Sequence, residues 1–476
     1  MPKKSALSEL KRRLGGSVAT DEDSLYWKSF DSSKLAFRIE AVIQPKNDKE
    51  VGPVLKLANQ YKIPVTTRGA GTCLTGAASP VKGGWVLDLS GLNRIRIDKE
   101  TGMAYVGPGA IIAKIQQRAE RLGWYYPPDP SSKKFCTIGG NIACNAGGMK
   151  GAKYGVTRDY VYALEGFLPT GEFVRWGADV RKYVSGYNMR DLWIGSEGTL
   201  GVITKAVLKL IPKPPCKWTL LAAFKNESRA LAAVRALVRQ RVIPSILEFL
   251  DSESVLCAES RTGKPLYPGG GRSAVLLLEL DGDKKSLEVD RKVVLAWAKD
   301  RATRYSETYD AEEAEKLWQV RRQGSPAMYE LGNTKLNEDI VVPLRNQGAL
   351  MKFVMQLKRE SGLAIPTFGH AADGNFHVNI MFDRGNKVQE KAAKKAVLKL
   401  MKTVVELGGA ITGEHGIGLA KSPFMAIQHN KAEIAAMRAI KNVLDPNDIL
   451  NPGKIFDRYV VWDKIPEKVK LPWDHK

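Results

Sequence analysis

The chain lacks several features that would assign it to a simple class of protein. No apolar run approaches the roughly 18 residues that a membrane-spanning helix needs. No CxxC or other ligand spacing relates its cysteines, which are Cys73, Cys136, Cys144, Cys216 and Cys257. Only five of the 476 residues are histidine. These absences argue against a membrane bundle, a disulfide framework and an iron–sulfur cluster within this chain, and they favour a reducing compartment.

The start of the sequence also lacks an apolar signal region. Residues 1–13 are charged throughout, so we expect a cytoplasmic protein. Hydrophobic residues make up 44% of the chain and charged residues 26%, as is typical of a soluble globular protein. A length of 476 residues predicts two or three domains.

Acidic residues are comparatively few. There are 73 lysines and arginines against 51 aspartates and glutamates, giving a net charge of +22. The excess is divided among residues 3–13, 387–402, the tail beyond 458 and many isolated positions. This spread favours a solvated basic surface over docking to an acidic protein or an anionic membrane, and it favours nucleic-acid binding least.

Periodicity predicts alternating elements in the first half of the chain. We expect helices at 48–62 and 110–122, strands at 63–67, 84–89, 101–109 and 201–211, and a hairpin at 160–176. The proline cluster at 212–215 predicts a linker.

The second half predicts an α+β sheet covered by helices on one face. We expect strands at 219–224, 274–280, 338–342 and 376–382, with helices near 227–242, 284–301, 344–361 and 388–407. A final helix near 424–444 should precede a rigid turn at 444–453.

Glycine is concentrated in three segments. Residues 68–76 follow a predicted strand but read GxGxxxxG and run toward another strand, so they do not form a Rossmann loop. Residues 137–148 contain two Gly-Gly pairs, and 195–204 are glycine-rich before a strand. Such segments leave backbone N–H groups free to bind a pyrophosphate, although each alone could be a plain turn.

The histidines form the sharper pattern. His370 begins and His377 ends the segment His-Ala-Ala-Asp-Gly-Asn-Phe-His. Glu414 and His415 lie in Gly-Glu-His-Gly. Strand alternation places Asn375, His377 and Asn379 on one face and Phe376, Val378 and Ile380 on the other. Two imidazoles and a carboxylate suit Zn²⁺, Mn²⁺ or Fe²⁺ with open positions for a substrate. The alternative is a set of buried core histidines beside a turn.

The three glycine segments, in this order, resemble the FAD domain of the vanillyl-alcohol oxidase/p-cresol methylhydroxylase superfamily. The similarity is closest to the branch of glycolate oxidase flavoprotein subunits, D-lactate dehydrogenases and D-2-hydroxyglutarate dehydrogenases, and it covers roughly residues 40–456. It implies an α+β fold with a two-lobed FAD-binding domain of the p-cresol methylhydroxylase type (1–215). A ferredoxin-like α+β substrate (cap) domain (216–410) and a C-terminal helical segment returning to the flavin (411–476) would follow.

The resemblance also implies roles for particular residues. The metal ligands would be His370, His377 and Glu414, and His415 would be the catalytic base. Ala372 replaces a glycine of the family's histidine segment but removes no ligand. Arg321, a closer match than Arg322, would bind the substrate carboxylate, with Ser325 and Asn379 as further substrate contacts. Non-covalent FAD would contact Arg68, Gly69, Ala70, Gly71, Thr72, Thr75, Gly76, Pro128, Asp129, Thr137, Gly139, Gly140, Asn141, Ala143, Asn145, Gly147, Gly148, Tyr154, Gly155, Glu197, Gly198, Gly201, Ile203 and Asn451.

The implied reaction is FAD-dependent, metal-assisted oxidation of a small D-2-hydroxy acid, similar to lactate or glycolate, to the 2-oxo acid. Asn337 stands where the hydroxyglutarate branch has a lysine, so a distal carboxylate would lose its partner. One alternative is a non-redox FAD-containing transferase resembling alkylglycerone-phosphate synthase. Another is a flavin-bearing scaffold or nucleic-acid-binding protein.

The resemblance further implies a separate electron acceptor protein, either an iron–sulfur subunit or an electron-transferring flavoprotein. We expect no nucleic-acid partner, and we expect a homo- or hetero-oligomer. Peripheral membrane contact through a partner is compatible with the basic surface.

Overall fold

A computed structural model describes residues 2–267, 271–472 and 474; the end of the predicted C-terminal segment, at 473, 475 and 476, lies outside them. Helices α1–α7 are Pro2–Leu14, Glu22–Lys28, Val51–Tyr61, Ile112–Glu120, Ile138–Cys144, Gly151–Tyr154 and Met189–Trp193. Strands β1–β11 are Val18–Ala19, Ala41–Ile43, Val65–Arg68, Trp85–Asp88, Ile95–Asp98, Met103–Val106, Trp124–Tyr125, Val161–Phe167, Phe173–Gly177, Val202–Lys209 and Ile211–Pro212.

The remaining elements follow the proline cluster. Strands β12–β18 are Cys216–Phe224, Ile246–Leu250, Ala274–Gly282, Arg304–Thr308, Thr334–Val341, Thr367–His370 and Asn375–Phe382. Helices α8–α15 are Glu227–Arg239, Ser252–Thr262, Lys284–Arg301, Ala311–Ala327, Gln347–Ser361, Lys387–Glu406, Met425–Gln428 and Lys431–Leu444. None of the helices in the described residues combines the length and apolar composition needed to cross a membrane.

Two sheets organise the first part of the chain. One has the order β1-β2-β4-β3, with β2, β4 and β3 parallel, and the other is antiparallel with the order β5-β6-β10-β8-β9. The apolar face of α3 covers the first sheet because its apolar residues recur at helical spacing and are fully buried: Val51, Val54, Leu55 and Ala58. Phe167 and Val202 belong to the same buried cluster, so the two sheets meet there.

A seven-stranded antiparallel sheet, ordered β15-β12-β14-β13-β17-β18-β16, organises the second part. Phe376, Val378 and Ile380 of β18 face the largest apolar core, as alternation predicts, and that core includes residues of α8, α10, α12 and α13. The sequence predicted helices on one face only, but the opposite face also carries helices. Residues of α9 and α11, among them Val255 and Trp318, pack there.

The sequence patterns missed three strands of this sheet (β13, β15 and β17) and both helices of its second face. Strand β13 is only five residues long, and it carries the buried charge of Glu248 in its middle. The predicted terminal helix is also two helices. Asn430 accepts hydrogen bonds from the backbone N–H groups of Ala432 and Glu433, and the Glu433 carboxylate accepts one from the Asn430 N–H. This capping box begins α15 as a separate element.

The last part of the chain returns to the first, as predicted. The Val65 N–H donates to the Ile449 carbonyl over 2.7 Å, and the Asn451 N–H donates to the Val65 carbonyl over 2.8 Å, so residues 449–451 extend β3's edge. The Asn451 side chain donates to the carbonyls of Ala77 and Glu197. Residues 411–455 therefore tie the large sheet to the two smaller ones.

Candidate functional site

A cavity of about 1530 Å³ lies between the glycine-rich segments and the large sheet. One wall consists of residues around 67–78, 129–149 and 193–203, and the other of α11, β16, β18 and residues 414–421. Pockets for single drug-sized ligands usually measure about 300–1,000 Å³. This cavity has room for a larger cofactor together with a small substrate.

Most of the predicted cofactor contacts lie in the cavity wall. Those that line it are Arg68, Gly69, Ala70, Gly71, Thr72, Thr75, Asp129, Thr137, Gly139, Gly140, Asn141, Ala143, Gly147, Gly148, Glu197, Gly198, Gly201 and Ile203. Six described residues with the same predicted role lie outside the wall: Gly76, Pro128, Asn145, Tyr154, Gly155 and Asn451. Tyr154 instead donates to Asp281 of β14 over 2.9 Å, which links the glycine-rich wall to the large sheet.

The glycine-rich wall fits a large polar ligand such as FAD. A Cβ added at Gly69 would lie 2.2 Å from the Thr137 hydroxyl oxygen, and Gly71 has a φ of +73°, so larger residues would disturb the wall. Arg68 Nε and Asn141 Nδ2 are buried donors without a hydrogen-bond partner among the described residues. Buried donors are rarely left unsatisfied, so they favour a ligand with acceptor atoms.

All five cysteines are free. The structure therefore agrees with the expectation that no disulfide framework holds this fold.

The histidine cluster is built by the β17–β18 pair and a loop. The register pairs His370 with Asn375 and Phe368 with His377, which brings the two histidines to one end of the sheet. Glu414 enters from the loop after α13, with its Oε1 3.7 Å from His370 Nε2 and 3.6 Å from His377 Nε2. One ligand atom from each of the three residues lies within 4.8 Å of the others.

The charge states of His377 and Glu414 suit a divalent cation. Burial would lower the pKa of His370, but the carboxylates of Glu248 and Glu414 raise it well above its usual value, so a cation would displace a proton from His370. Burial lowers the pKa of His377 to about 4, so its ring is neutral at pH 7. Burial would raise the pKa of Glu414, but its contact with His370 and the other nearby imidazoles lower it, so the group is a carboxylate. A neutral imidazole and a carboxylate are the forms that bind metal ions.

Asp339 of β16 holds the loop that carries Glu414. It is fully buried, and its ionised form is favoured by five hydrogen bonds together with nearby positive charge. Burial opposes that ionisation, yet the net effect holds its pKa well below the usual range. The donors are the Thr412 hydroxyl, the Asn375 side-chain amide and the backbone N–H groups of Gly413, Glu414 and His415.

His415 lies beside the cluster and lines the cavity. Its ring stacks on His377 with centroids 5.4 Å apart, and its Nδ1 is 4.0 Å from Asp339 Oδ2. Its Nε2 is 3.8 Å from Glu414 Oε1. The predicted base is thus next to the predicted metal ligands, with 17% of its side chain exposed to the cavity side.

Arg321 and Arg322 of α11 both line the cavity, but Arg321 is buried, whereas Arg322 is 45% exposed and paired with Glu315. The guanidinium of Arg321 lies 4.4 Å above the centre of the Phe368 ring. Its Nε donates to Glu248 Oε2 over 2.7 Å, and its Nη2 lies 2.5 Å from the same oxygen. Of the two candidate arginines, Arg321 is the one placed to meet a small ligand near the histidines.

The other predicted substrate contacts differ in position. Ser325 lines the cavity one helical turn after Arg321, and its hydroxyl accepts a hydrogen bond of 2.7 Å from Lys335. Asn379 lies beneath the wall, where its amide donates to the carbonyls of Pro366 and His377. Its substrate-binding role stays a prediction.

Sequence reasoning missed Glu248 and Lys335 and did not assign a role to Asp339. Lys335 lines the cavity two residues before Asn337, and burial lowers its pKa to about 8. An acidic residue within an apolar pentapeptide, Ile-Leu-Glu-Phe-Leu, was the available signal for Glu248. Its two partners lie 73 and 122 residues away, so only the fold identifies them.

Comparison with known proteins adds family and fold. Residues 39–177 match the model of an FAD binding domain, and residues 213–455 match that of the C-terminal domain of FAD linked oxidases. The glycolate oxidase subunit GlcD of Bacillus subtilis (strain 168) is 40% identical over 88% of this chain and 89% of its own length. A D-lactate dehydrogenase of Anaerostipes hadrus is 38% identical over 91% of both chains.

Two solved structures share the fold. p-Cresol methylhydroxylase with bound substrate aligns with a TM-score of 0.80 and 20% identity, covering 96% of this chain and 97% of its own. An alkyldihydroxyacetonephosphate synthase aligns with a TM-score of 0.73 and 20% identity, covering 94% and 84%. These likenesses confirm the predicted α+β fold of the p-cresol methylhydroxylase type.

Proposed function

The chain belongs to the family of FAD-linked oxidases, and on that basis we propose that it oxidises a D-2-hydroxy acid of the lactate or glycolate type to the 2-oxo acid. The relatives named as a glycolate oxidase subunit and a D-lactate dehydrogenase support this substrate class. The single observation that carries the proposal is one cavity that joins the glycine-rich wall to Arg321, His415 and the His370–His377–Glu414 cluster.

The proposed cofactor set is non-covalent FAD and one divalent cation, Zn²⁺, Mn²⁺ or Fe²⁺. FAD would lie against the glycine-rich wall, and the absence of histidine from residues 68–76 favours non-covalent binding. The cation would be held by His370, His377 and Glu414. When bound, FAD would supply the hydride acceptor, and the cation would supply positive charge that favours loss of the hydroxyl proton.

Arg321 binds the substrate carboxylate in this proposal. Because Nε and one side of Nη2 are engaged by Glu248, the carboxylate meets the Nη1 end of the guanidinium. A charge-assisted hydrogen bond there fixes the orientation of C2. The cation–π contact with Phe368 and the burial of Arg321 hold the guanidinium in the cavity wall.

His415 takes the hydroxyl proton in this proposal. Its backbone N–H donates a hydrogen bond of 3.0 Å to Asp339 Oδ2, and its ring stacks on His377. His415 is therefore held beside the cluster but is not one of its three ligands. A base in this position removes the proton as the hydride leaves C2, and the product is the 2-oxo acid.

Anaerobic mixing of the FAD-loaded enzyme with a panel of acids tests the proposal. Glycolate, D-lactate, L-lactate, D-2-hydroxyglutarate and longer 2-hydroxy acids are each added while flavin absorbance is followed. We expect bleaching by D-2-hydroxy acids, with stoichiometric 2-oxo acid. Turnover of a fatty alcohol and an acyl-glycerone phosphate without net flavin reduction would instead indicate a transferase similar to alkylglycerone-phosphate synthase.

We propose further that the electrons pass to a separate acceptor protein, an iron–sulfur subunit or an electron-transferring flavoprotein, in a homo- or hetero-oligomer. Two properties of the sequence support this. It has neither cysteine spacing for an iron–sulfur cluster nor a Rossmann loop, and its net charge of +22 suits an acidic partner. Attachment to a membrane surface would then occur through that partner.

A further inference from the structure

We propose that Glu248 is a positioning residue that sets which nitrogen of His370 carries a proton and, through its second oxygen, holds Arg321. The inference deepens the proposed function and rests on it for the roles of His370 and Arg321. It couples the cation site to the carboxylate-binding site through one side chain that touches neither substrate nor cation.

The geometry comes from the pairing of two strands. Glu248 of β13 lies directly opposite His370 of β17 in the antiparallel register. Its side chain is fully buried, with Oε1 hydrogen-bonded to His370 Nδ1. Its Oε2 accepts from Arg321 Nε and lies close to Nη2. The two oxygens of one carboxylate therefore serve two different functional residues.

The chemistry of the three groups fixes a proton on His370 Nδ1. A guanidinium can only donate and an ionised carboxylate can only accept, so Glu248 requires a donor at His370 Nδ1. With Nδ1 protonated, Nε2 is the ring nitrogen of His370 left to bind a cation, and it lies on the side of Glu414. A carboxylate that fixes a metal-binding imidazole in this way typically changes metal affinity by about 10- to 100-fold when it is replaced.

Glutamine at this position separates the two functions. Its amide has one acceptor oxygen and one NH₂ donor, so it cannot accept from both neighbours. Arg321 has no acceptor form, whereas an imidazole nitrogen can accept. The amide oxygen therefore turns to Arg321, and the NH₂ faces His370 Nδ1. A neutral His370 then carries its proton on Nε2, the nitrogen that the cation needs.

The test compares wild type, Glu248→Gln and Glu248→Asp by ¹⁵N NMR of labelled histidines in ion-free protein and by Zn²⁺ titration. His370→Asn assigns the His370 signals. We expect Nδ1 of His370 to be protonated in wild type and unprotonated in Glu248→Gln, with Zn²⁺ affinity reduced at least 10-fold. Glu248→Asp keeps two acceptor oxygens and should retain the Nδ1 proton. An unchanged Nδ1 proton or unchanged Zn²⁺ affinity in a folded Glu248→Gln protein would overturn the proposal.

Two further measurements separate this proposal from its premises. Glu279→Gln changes another buried glutamate in the adjacent strand β14, outside the cavity wall, and should alter neither the NMR signals of His370 nor Zn²⁺ binding. If wild type binds no divalent ion, the proposed cation fails, but the position of the proton on His370 still tests Glu248. If the Glu248→Gln protein does not fold, loss of the Nδ1 proton in Glu248→Asp contradicts the assignment.

Discussion

Single side chains decide which of the clustered histidines can act on a substrate. His370 and His377 are 6% and 5% exposed and turn toward Glu414, whereas His415 is the more exposed member. Its ring stacks on His377 and lies near Asp339, so these two residues position His415 without taking part in the proposed proton transfer. The three rings are therefore not equivalent, and substitutions should separate their roles.

Replacement of His415, the proposed base, should abolish catalysis and leave the cluster intact. We expect His415→Asn to lower kcat by roughly 10²–10⁴ because proton removal is lost while Glu414 keeps its Asp339-anchored backbone. Stopped-flow flavin reduction and metal analysis check this result. The matched control is His429→Asn, which changes an exposed histidine that contacts Glu433. Loss of metal in His415→Asn would make His415 a ligand.

Removal of the proposed cation should separate binding of FAD from flavin reduction. Because the glycine-rich wall and the histidine cluster are formed by different segments, chelation should leave the fold and FAD absorbance unchanged while abolishing flavin reduction by the substrate. His377→Ala should have the same effect. Circular dichroism, flavin spectra and single-turnover assays measure the three properties. Full activity of a metal-free enzyme would refute the role of the cation.

The length of the substrate is a further residue-scale question. Asn337 offers a neutral amide opposite Asn379, and the next lysine on the strand, Lys335, is bonded to Ser325. We therefore expect kcat/KM for D-lactate or glycolate to exceed that for D-2-hydroxyglutarate, and Asn337→Lys to shift the ratio toward the dicarboxylate. If wild type prefers the dicarboxylate, the argument from Asn337 is wrong. Lys335→Met then tests whether Lys335 supplies the charge.

At the scale of elements, the sequence predicted what is local. Alternation in β18 placed His377 on the face away from the apolar residues Phe376 and Val378, because successive side chains of a strand point to opposite faces. Strand β17 was missed because its four residues, Thr-Phe-Gly-His, are too few to show a period. The pairing of Arg321 with Glu248 joins a helix to a strand by tertiary packing, which no spacing within either element encodes.

The contact between residues 195–204 and the C-terminal segment should make the free energy of unfolding depend on pH. The buried Glu197 carboxylate accepts from the N–H groups of Ile417 and Gly418. Burial nevertheless raises its pKa from 4.5 to about 6, despite these bonds. Between those pH values the folded chain keeps a proton that the unfolded chain has lost. The stabilisation is therefore complete below pH 4.5 and is lost as the pH rises through 6, a change of about 2 kcal/mol.

Chemical denaturation of wild type and Glu197→Gln at pH 4.5 and 7 measures this effect. Glutamine does not titrate, so the difference in free energy of unfolding between the two proteins should change by about 2 kcal/mol across the interval. A constant difference would show that Glu197 does not titrate between these pH values in the folded protein.

At the scale of the whole molecule, the net charge of +22 predicts how salt affects association with the proposed acceptor protein. Long-range attraction accelerates association with an acidic protein and is screened by salt. We expect the substrate-reduced enzyme to be reoxidised faster by an acidic acceptor at about 20 mM salt than at about 300 mM, a range that strongly changes screening. NAD⁺ alone should not react.

Stopped-flow reoxidation by a purified electron-transferring flavoprotein or iron–sulfur protein provides the measurement. A neutral dye acceptor is the control, since its rate should not vary with ionic strength. Rapid turnover with NAD⁺, or protein-acceptor rates that do not depend on salt, would contradict a steered partner.

The pairing of Val65 with residues 449–451 can form only after nearly the whole chain has been synthesised. Strand β3 lies at the end of its sheet, and its outer edge stays unpaired until a segment about 385 residues later in the chain has been made. At about 5–20 residues per second, a ribosome needs roughly 20–80 s to deliver that partner. During that time the nascent chain carries an open strand edge that can pair with other chains. Ribosomal stalling or premature termination before residue 449 would therefore produce a chain prone to aggregation.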